Sequence, residues 1–231
     1  MKNILAYYRL AKPGIVYSNV LSAVAGFLMV SKSGLDFGLL LAVISGVTLV
    51  IASACVFNNY LDRSIDSKME RTKRRALVTG KISNRNAIIF GSNLGIIGFL
   101  VLGFFTNGLT LLVGIVGYID YIIFYGLAKR HSNYSTIIGS VSGSAHFHAI
   151  ALRRVNDYRE AGINVLPIVK GEDSTKFAIK MYVAGFALCA TSLFILGSVG
   201  YIYLLTMLVL SWLWITKSQT EYTNNTEWAK E

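Results

Sequence analysis

Residues 58–75 have the sequence NNYLDRSIDSKMERTKRR and directly follow an apolar run at 36–57. A dense cluster of carboxylates, amides and cations that begins where an apolar run stops is typical of the edge of a membrane. If the helix continues one or two turns past the run, Asn58, Asp62 and Asp66 fall at i, i+4 and i+8 and lie on one face. The stretch therefore predicts a helix that carries converging oxygen ligands out of the membrane.

The residue types at this helix end predict a site for a hard cation and a phosphate. Carboxylate and amide oxygens suit Mg²⁺, which proteins usually hold with one or two carboxylates together with substrate phosphates. The anion would be bound by the cations of the same stretch, which are Lys68, Arg71, Lys73, Arg74 and Arg75. The alternative is a solvated helix end on which Asp62 and Asp66 only form salt bridges. A pattern of many fixed positions at regular spacing continues from Asn58 to Gly80, which favours the site.

The composition places the chain among polytopic α-helical membrane proteins. It has 231 residues, of which 54% are hydrophobic and 15% are charged. Several apolar runs reach the roughly 18 to 25 residues of a membrane-spanning helix. The runs lie at 14–31, 36–57, 87–105, 109–128, 134–152, 177–197 and 199–216. Because no linker interrupts this series, we expect a single membrane-embedded domain over residues 1–231.

The net charge of +10 is explained by the membrane rather than by nucleic acid. Lys and Arg collect in the cytoplasmic loops of membrane proteins, so no nucleic-acid partner is expected. Lys2, Arg9 and Lys12 place the N-terminus in the cytoplasm, and loop 58–86, with eight Lys or Arg residues, lies on the same side. The pattern predicts a multi-pass protein of a bacterial cytoplasmic (inner) membrane.

The run at 134–152 breaks this charge pattern. It starts after Lys129 and Arg130 and ends at Arg153 and Arg154, so inside-type charges stand at both of its ends. A single ordinary span would put one of these clusters on the outside. Three explanations remain open: the segment re-enters or is distorted, the second half of the protein is inverted, or a piece of chain is missing.

The stretch at 58–75 resembles the signature of the UbiA superfamily of intramembrane prenyltransferases, and within it most closely the protoheme IX farnesyltransferase branch. Its further matching segments are Lys12-Pro13-Gly14-Ile15, Lys129-Arg130-His131, Gly139-Ser140-Val141-Ser142-Gly143, Asp157-Tyr158 and Ala161-Gly162-Ile163-Asn164-Val165-Leu166-Pro167. The resemblance covers nearly the whole chain. It implies an all-α transmembrane bundle of about nine helices around a central cavity, here truncated to six clear spans plus the anomalous segment 134–152.

The resemblance also implies a reaction and its ligands. A farnesyl group passes from farnesyl diphosphate to a vinyl group of heme B to give heme O, with Mg²⁺ held on two aspartate-rich loops. The implied metal ligands are Asn58, Asp62, Asp66 and Asp157, of which the aspartates are the catalytic residues. The implied substrate-binding residues are Asn58, Lys68, Arg71, Arg75, Tyr125, Lys129, Arg130, Arg154, Tyr158 and His146. The expected partners are the lipid bilayer and the next enzyme of heme or terminal-oxidase assembly.

Some of these residues have simpler explanations. Asp157 would otherwise belong to an ordinary basic loop beside the membrane. Lys129 and Arg130, with Tyr125, would otherwise anchor a helix end on the cytoplasmic side. His146 either contacts heme, since imidazole is a common axial ligand, or is hydrogen-bonded within the bundle.

The chain departs from the family pattern in two places. About thirty residues, including a Pro-Pro pair, are expected between Ala145 and His146 and are missing, and their loss explains why both flanks of 134–152 carry cytoplasmic charge. After Ile215 the chain turns polar, where the family continues into a last helix.

Two rival functions follow from these departures and from the shared diphosphate site. One is a UbiA-type prenyltransferase with an aromatic or quinone-precursor acceptor. The other is a catalytically decayed remnant that binds ligand without turnover. A small transporter is disfavoured, because the charged residues lie at helix ends rather than along a path through the membrane midplane.

Overall fold

The computed structural model describes residues 2–31, 34–124, 126, 151–152, 154–197 and 199–220. Helices are the only regular elements in these ranges, which confirms the all-α prediction. The chain divides into two compact units, residues 1–127 and residues 128–231, and each is described by itself below. The single domain expected over 1–231 stays a prediction.

In its described residues, the first unit contains five α-helices and a short π-helix. Its helices are α1 (Lys2–Leu10), α2 (Pro13–Val30), α3 (Phe37–Asp66), α4 (Asn84–Phe105) and α5 (Gly108–Ile119), followed by the π-helix Asp120–Phe124. The described helices of the second unit are α6 (Val155–Glu160), α7 (Leu166–Ile195) and α8 (Tyr201–Thr220).

Six of these helical segments are apolar and coincide with the six clear spans predicted from the sequence. The helices α3, α4 and α7 are long and apolar enough to cross a membrane. The shorter apolar segments are Pro13–Met29, Gly108–Phe124 and Tyr201–Thr216. The anomalous run at 134–152 lies outside the described residues except for Ala151 and Leu152.

Helix α3 continues well beyond its apolar run. It begins at the N-cap residue Asp36, whose side chain accepts a hydrogen bond from the backbone N–H of Leu39 at 2.9 Å. It ends at Asp66, more than two turns after the last residue of the run at 36–57. The predicted continuation of this helix is therefore confirmed.

Glycines let helix α4 approach α3 closely. A Cβ atom added at Gly98 would lie 2.9 Å from the backbone nitrogen of Val50, closer than ordinary packing allows. At Gly95 it would lie 2.8 Å from Oγ of Ser53. Small residues at such interfaces are typical of helices packed in lipid, because they bring two backbones together. The close approach of α3 and α4 thus depends on having glycine, which has no side chain, at positions 95 and 98.

A polar contact sets the register of α3 against its neighbours. Oγ of Ser53 donates to the backbone carbonyl of Gly91 in α4 at 2.7 Å. The same oxygen lies 2.9 Å from the hydroxyl of Tyr118 in α5, and the ring of Tyr118 packs edge-on against Phe99. Sliding α3 by one turn would leave a hydroxyl unsatisfied in a medium that offers no water.

The N-terminal helix α1 packs near the end of α3. Leu10 belongs to a buried cluster with Val56, Leu77, Ile82 and Ala87. Lys12 follows in the left-handed conformation with φ 52°, and Pro13 then starts α2. A left-handed lysine is uncommon, and here it turns the chain from α1 into the first apolar helix.

The second unit contains a kinked helix and its partner. Within α7, Gly171 has φ 81° and ψ 175°, so two helical segments meet there at a residue without a Cβ atom. Oγ1 of the buried Thr175 donates to the carbonyl of Gly171 at 2.9 Å. Ile179 and Val183 of α7 form a core against which Ile215 of α8 packs.

Candidate metal and phosphate site

The end of α3 brings the predicted oxygen ligands onto one buried face. Asn58, Asp62 and Asp66 follow one another at four-residue spacing within a continuous helix, and they are 4%, 2% and 2% exposed. Burying carboxylates costs free energy unless they are paired, hydrogen-bonded or bound to metal. The two carboxylates of Asp62 and Asp66, which lie on one helix face, therefore need cationic partners. Their role as metal ligands stays a prediction.

One of these partners is Arg75, which lies in the loop that follows α3. Its Nη1 atom donates to Oδ2 of Asp66 at 2.5 Å and to Oδ1 of Asn59 at 3.0 Å. Oγ1 of Thr72 donates to the backbone carbonyl of Asp66 at 2.9 Å. The loop thus folds back over the end of the helix and presents a guanidinium to the predicted metal site.

A second cation comes from the N-terminal segment. Nζ of Lys12 donates to Oδ1 of Asn58 at 2.6 Å, and Nδ2 of Asn59 donates to the carbonyl of Leu10 at 2.8 Å. Lys12, Asn59 and Thr72 are not among the site residues predicted from the sequence. The sequence did contain one indication of a role for Asn59. It is a second asparagine beside Asn58 at the edge of an apolar run, where a buried amide needs hydrogen-bond partners.

Apolar anchors hold the loop so that its other cations face outward. Met69, Leu77 and Ile82 are buried, whereas Lys68 and Arg71 are exposed. Lys68 and Arg71 therefore remain accessible to an anion that approaches the end of α3. Lys73 instead forms an exposed ion pair with Glu70, a kind of contact that adds little stability.

A tyrosine of the π-helix lies near Asp62. Tyr121 lies close enough to Asp62, Arg75 and Cys55 to interact with them electrostatically. Short π-helical segments often mark functional sites, but the sequence pattern did not show this one. Tyr121 is thus a neighbour of the site that only the structure reveals.

The donor set fits a hard cation whose remaining ligands are phosphate oxygens. Among the residues that the structure describes, no group of three or more His, Cys, Asp or Glu side chains is close enough to form a metal cluster. The site offers two carboxylates and an amide oxygen on one face of α3. Mg²⁺ prefers oxygen ligands of this kind and often completes its shell with phosphate and water.

The second unit holds the other predicted group. Asp157 lies in the first turn of α6, and its buried Oδ2 atom receives no hydrogen bond from the described residues. Tyr158 is buried, and Arg154 precedes the helix as its N-cap and is half-buried. The remaining predicted residues, Tyr125, Lys129, Arg130 and His146, lie outside the described residues.

Comparison with known protein families gives matches over almost the whole chain. The profile described as "UbiA prenyltransferase family" matches residues 19–145 and 142–230. A protein named protoheme IX farnesyltransferase from Cronobacter sakazakii is 39% identical over 261 residues, covering 99% of this chain and 88% of its own length. A relative of the same name from Escherichia coli O1:K1 is 40% identical over 240 residues, covering 90% of this chain and 81% of its own length.

Solved structures show the same fold. A structure of digeranylgeranylglyceryl phosphate synthase in membranes has a TM-score of 0.74 at 20% identity, covering 100% of this chain and 91% of the other. A UbiA homolog from Archaeoglobus fulgidus, bound to GPP and Mg²⁺, has a TM-score of 0.69 at 16% identity, covering 94% and 86%. At such low identities the likeness establishes the fold alone.

The alignments also agree with the predicted internal deletion. The match to the Cronobacter sakazakii protein runs over 261 residues, whereas this chain has 231, so at least 30 of the aligned positions face a gap. The two segments matched by the family profile meet at residues 142–145. This is where the sequence resemblance predicts that about thirty residues are missing, enough for one span and its loop.

Proposed function

The chain belongs to the UbiA prenyltransferase family, and from this membership we propose that it transfers a farnesyl group from farnesyl diphosphate to a vinyl group of heme B, giving heme O. The observation that carries the proposal is the 39% identity, over 99% of the chain, to relatives named protoheme IX farnesyltransferase. The buried carboxylates and adjoining cations at the end of α3 supply a site suited to the diphosphate of such a donor.

Mg²⁺ would be held by Asn58, Asp62 and Asp66, with Asp157 as a further ligand. When bound, the metal supplies positive charge that stabilises the departing diphosphate. The hard oxygen donors on one face of α3 support this assignment. A structural neighbour that contains GPP and Mg²⁺ supports it as well.

Three cations of loop 67–83 bind the diphosphate oxygens, namely Lys68, Arg71 and Arg75. Arg75 presents a planar guanidinium whose N–H groups match phosphate oxygens in pairs. Lys68 and Arg71 are exposed beside it and add charge. Further contacts to the substrates are assigned to Tyr125, Lys129, Arg130, Arg154, Tyr158 and His146. Stabilising the charge that develops on the leaving group is the main contribution expected of such a site.

The apolar helices keep water from the reacting carbon. As the carbon–oxygen bond of the allylic diphosphate breaks, the electron pair leaves with the diphosphate and the allylic carbon becomes electron-poor. The electron-rich vinyl group of heme B then captures that carbon through a new carbon–carbon bond, which leaves the positive charge on the vinyl carbon next to the porphyrin ring. One water molecule adds to that vinyl carbon and releases a proton, giving the hydroxyl group of heme O. Excluding water from the allylic carbon until the new bond has formed prevents a competing capture and strengthens the electrostatic interactions at the diphosphate.

The protein is a multi-pass membrane protein, and its orientation follows from its loops. We place the N-terminus and loop 67–83 on the cytoplasmic side of a bacterial inner membrane. The eight Lys or Arg residues between residues 58 and 86 support this orientation. Association with the next enzyme of heme or terminal-oxidase assembly remains a prediction.

The proposal is tested by mass spectrometry of membranes that contain the chain and are supplied with heme B, farnesyl diphosphate and Mg²⁺. We expect heme O to form and to be lost when the metal is chelated. Prenylation of an aromatic acceptor without heme O would point to the rival prenyltransferase. Binding of farnesyl diphosphate without any product would identify the chain as a remnant that has lost turnover.

A further inference from the structure

Asn59 has no assigned role in the metal and phosphate site, although both ends of its side-chain amide are engaged. The residue is 4% exposed. Its Nδ2 atom donates to the carbonyl of Leu10 at 2.8 Å, and its Oδ1 atom accepts from Nη1 of Arg75 at 3.0 Å. A buried amide whose donor and acceptor contact different segments connects those segments rigidly.

The contact to Leu10 determines which way the amide points. Leu10 is the last residue of α1, and carbonyls in the last turn of a helix lack a partner within the helix. If the amide of Asn59 were flipped, its oxygen would face the carbonyl of Leu10 and its NH₂ group would face the guanidinium of Arg75. Both contacts would then be repulsive, because a carbonyl only accepts and a guanidinium only donates.

The contact to Arg75 affects how that side chain meets Asp66. Nη1 of Arg75 is shared between Oδ1 of Asn59 and Oδ2 of Asp66. Without the amide oxygen, the guanidinium could rotate and bind the carboxylate through two parallel hydrogen bonds, which is the stronger arrangement. The N–H groups of the Arg75 guanidinium would then be less available to phosphate. In the observed arrangement the side chain of Arg75 keeps 28% of its surface exposed.

We infer that Asn59 is a positioning residue. The end of α1 fixes its amide, and the amide in turn fixes Arg75 with its guanidinium directed toward the diphosphate. This inference rests on the proposed function, because it requires Arg75 to bind the diphosphate of the donor. It makes the N-terminal helix a supporting part of the site, without assigning any residue of α1 a contact to the substrate.

The test compares full-length wild type, Asn59→Leu and Asn59→Asp in detergent. Asn93→Leu is the matched control, because Asn93 is an exposed asparagine of α4. The readouts are the Kd of farnesyl thiodiphosphate, an unreactive analogue, in the presence of Mg²⁺, and the thermal unfolding temperature. We expect Asn59→Leu to weaken binding about tenfold, the effect of losing one charge-assisted hydrogen bond. Asn93→Leu should bind like the wild type.

Asn59→Asp separates the two contacts of the amide. Its carboxylate still accepts from Arg75 but cannot donate to the carbonyl of Leu10. Because the anchor at α1 is lost and the new carboxylate can occupy the N–H groups of Arg75, we expect its Kd to rise at least about tenfold, as in Asn59→Leu.

Wild-type affinity in a folded Asn59→Asp protein would overturn the inference, because the contact between Asn59 and the end of α1 would then be irrelevant to Arg75. A folded Asn59→Leu protein with wild-type affinity would overturn it too. If the wild type itself does not bind the analogue, the proposed function fails, and the inference fails with it.

Discussion

Arg75 donates from Nη1 to Oδ2 of Asp66 at 2.5 Å, so a cation proposed to bind phosphate lies against a carboxylate proposed to bind metal. The two are nine positions apart in the chain, and the loop between them turns back on Met69 and Thr72, which are both buried. Removing one member of such a pair leaves the other charge with no compensation in a poorly solvated site. Substitutions here should therefore affect both ligand binding and folding.

Replacing Asp62 with alanine should abolish farnesyl transfer while the protein still inserts into the membrane. The change removes a carboxylate from the predicted metal site and leaves the apolar helices intact. Heme O formation measured by mass spectrometry checks the prediction. Glu70→Ala serves as the control, since Glu70 is an exposed carboxylate in the adjoining loop. Near-normal transfer by Asp62→Ala would show that the metal assignment is wrong.

Replacing Arg75 with lysine should raise the KM for farnesyl diphosphate about tenfold, because the charge stays but the planar fork of donors is lost. Steady-state kinetics with varied farnesyl diphosphate measure this effect. Arg74→Lys is the matched control, since Arg74 is the exposed neighbour in the same loop. Similar KM values for the two variants would contradict a specific role for Arg75.

Replacing Gly98 with alanine should destabilise the first unit by about 1–3 kcal/mol, the usual effect of overpacking. The added Cβ would lie 2.9 Å from the backbone nitrogen of Val50, and backbone cannot move aside as a flexible side chain can. Thermal unfolding in detergent gives the measurement. Gly117→Ala, whose Cβ would meet no described atom within 4 Å, should unfold at or above the wild-type temperature.

The Ser53–Tyr118 hydrogen bond should contribute measurably to the packing of α3 against α5. We expect a coupling energy of about 0.5–1.5 kcal/mol, the range found for hydrogen bonds between membrane helices. A double-mutant cycle with Ser53→Ala, Tyr118→Phe and both changes together provides the value. If the two single substitutions change the free energy of unfolding by amounts that add up to the effect of the double substitution, the 2.9 Å contact adds no stability.

A cysteine introduced as Gly200→Cys should be labelled by an impermeant maleimide added outside the cell. Gly200 lies between α7 and α8, and it faces outward if segment 134–152 returns to the cytoplasm. Cys55 and Cys189 would first be replaced with alanine. Thr79→Cys in loop 67–83 is the control and should react only after permeabilisation. Protection at Gly200→Cys would indicate that the second half of the protein is inverted.

The helices and the shared face of the predicted ligands follow from local patterns in the sequence. Apolar length locates the spans, since about 20 residues are needed to cross the hydrocarbon layer. The four-residue spacing of Asn58, Asp62 and Asp66 places their side chains on one face as soon as the segment is helical. The structure agrees on both points, because α3 runs unbroken to Asp66.

The partners of those ligands could not be predicted in the same way. Loop 67–83 contains several cations of similar character, and nothing in their spacing distinguishes Arg75 from Lys68 or Arg71. Burial of Met69, Leu77 and Ile82 fixes the path of the loop and brings Arg75 back onto Asp66.

The sequence by itself determined an all-helical membrane protein with a carboxylate and amide face at the C-terminal end of its second apolar run, because helical period and apolar length act over short stretches of chain. Only the tertiary structure decided that Arg75 contacts Asp66, that Lys12 contacts Asn58, and that Asn59 connects α1 to the site. These contacts join residues 9 to 49 positions apart. They form where packing of the loop and of α1 brings a buried donor to a buried acceptor, which no local period encodes.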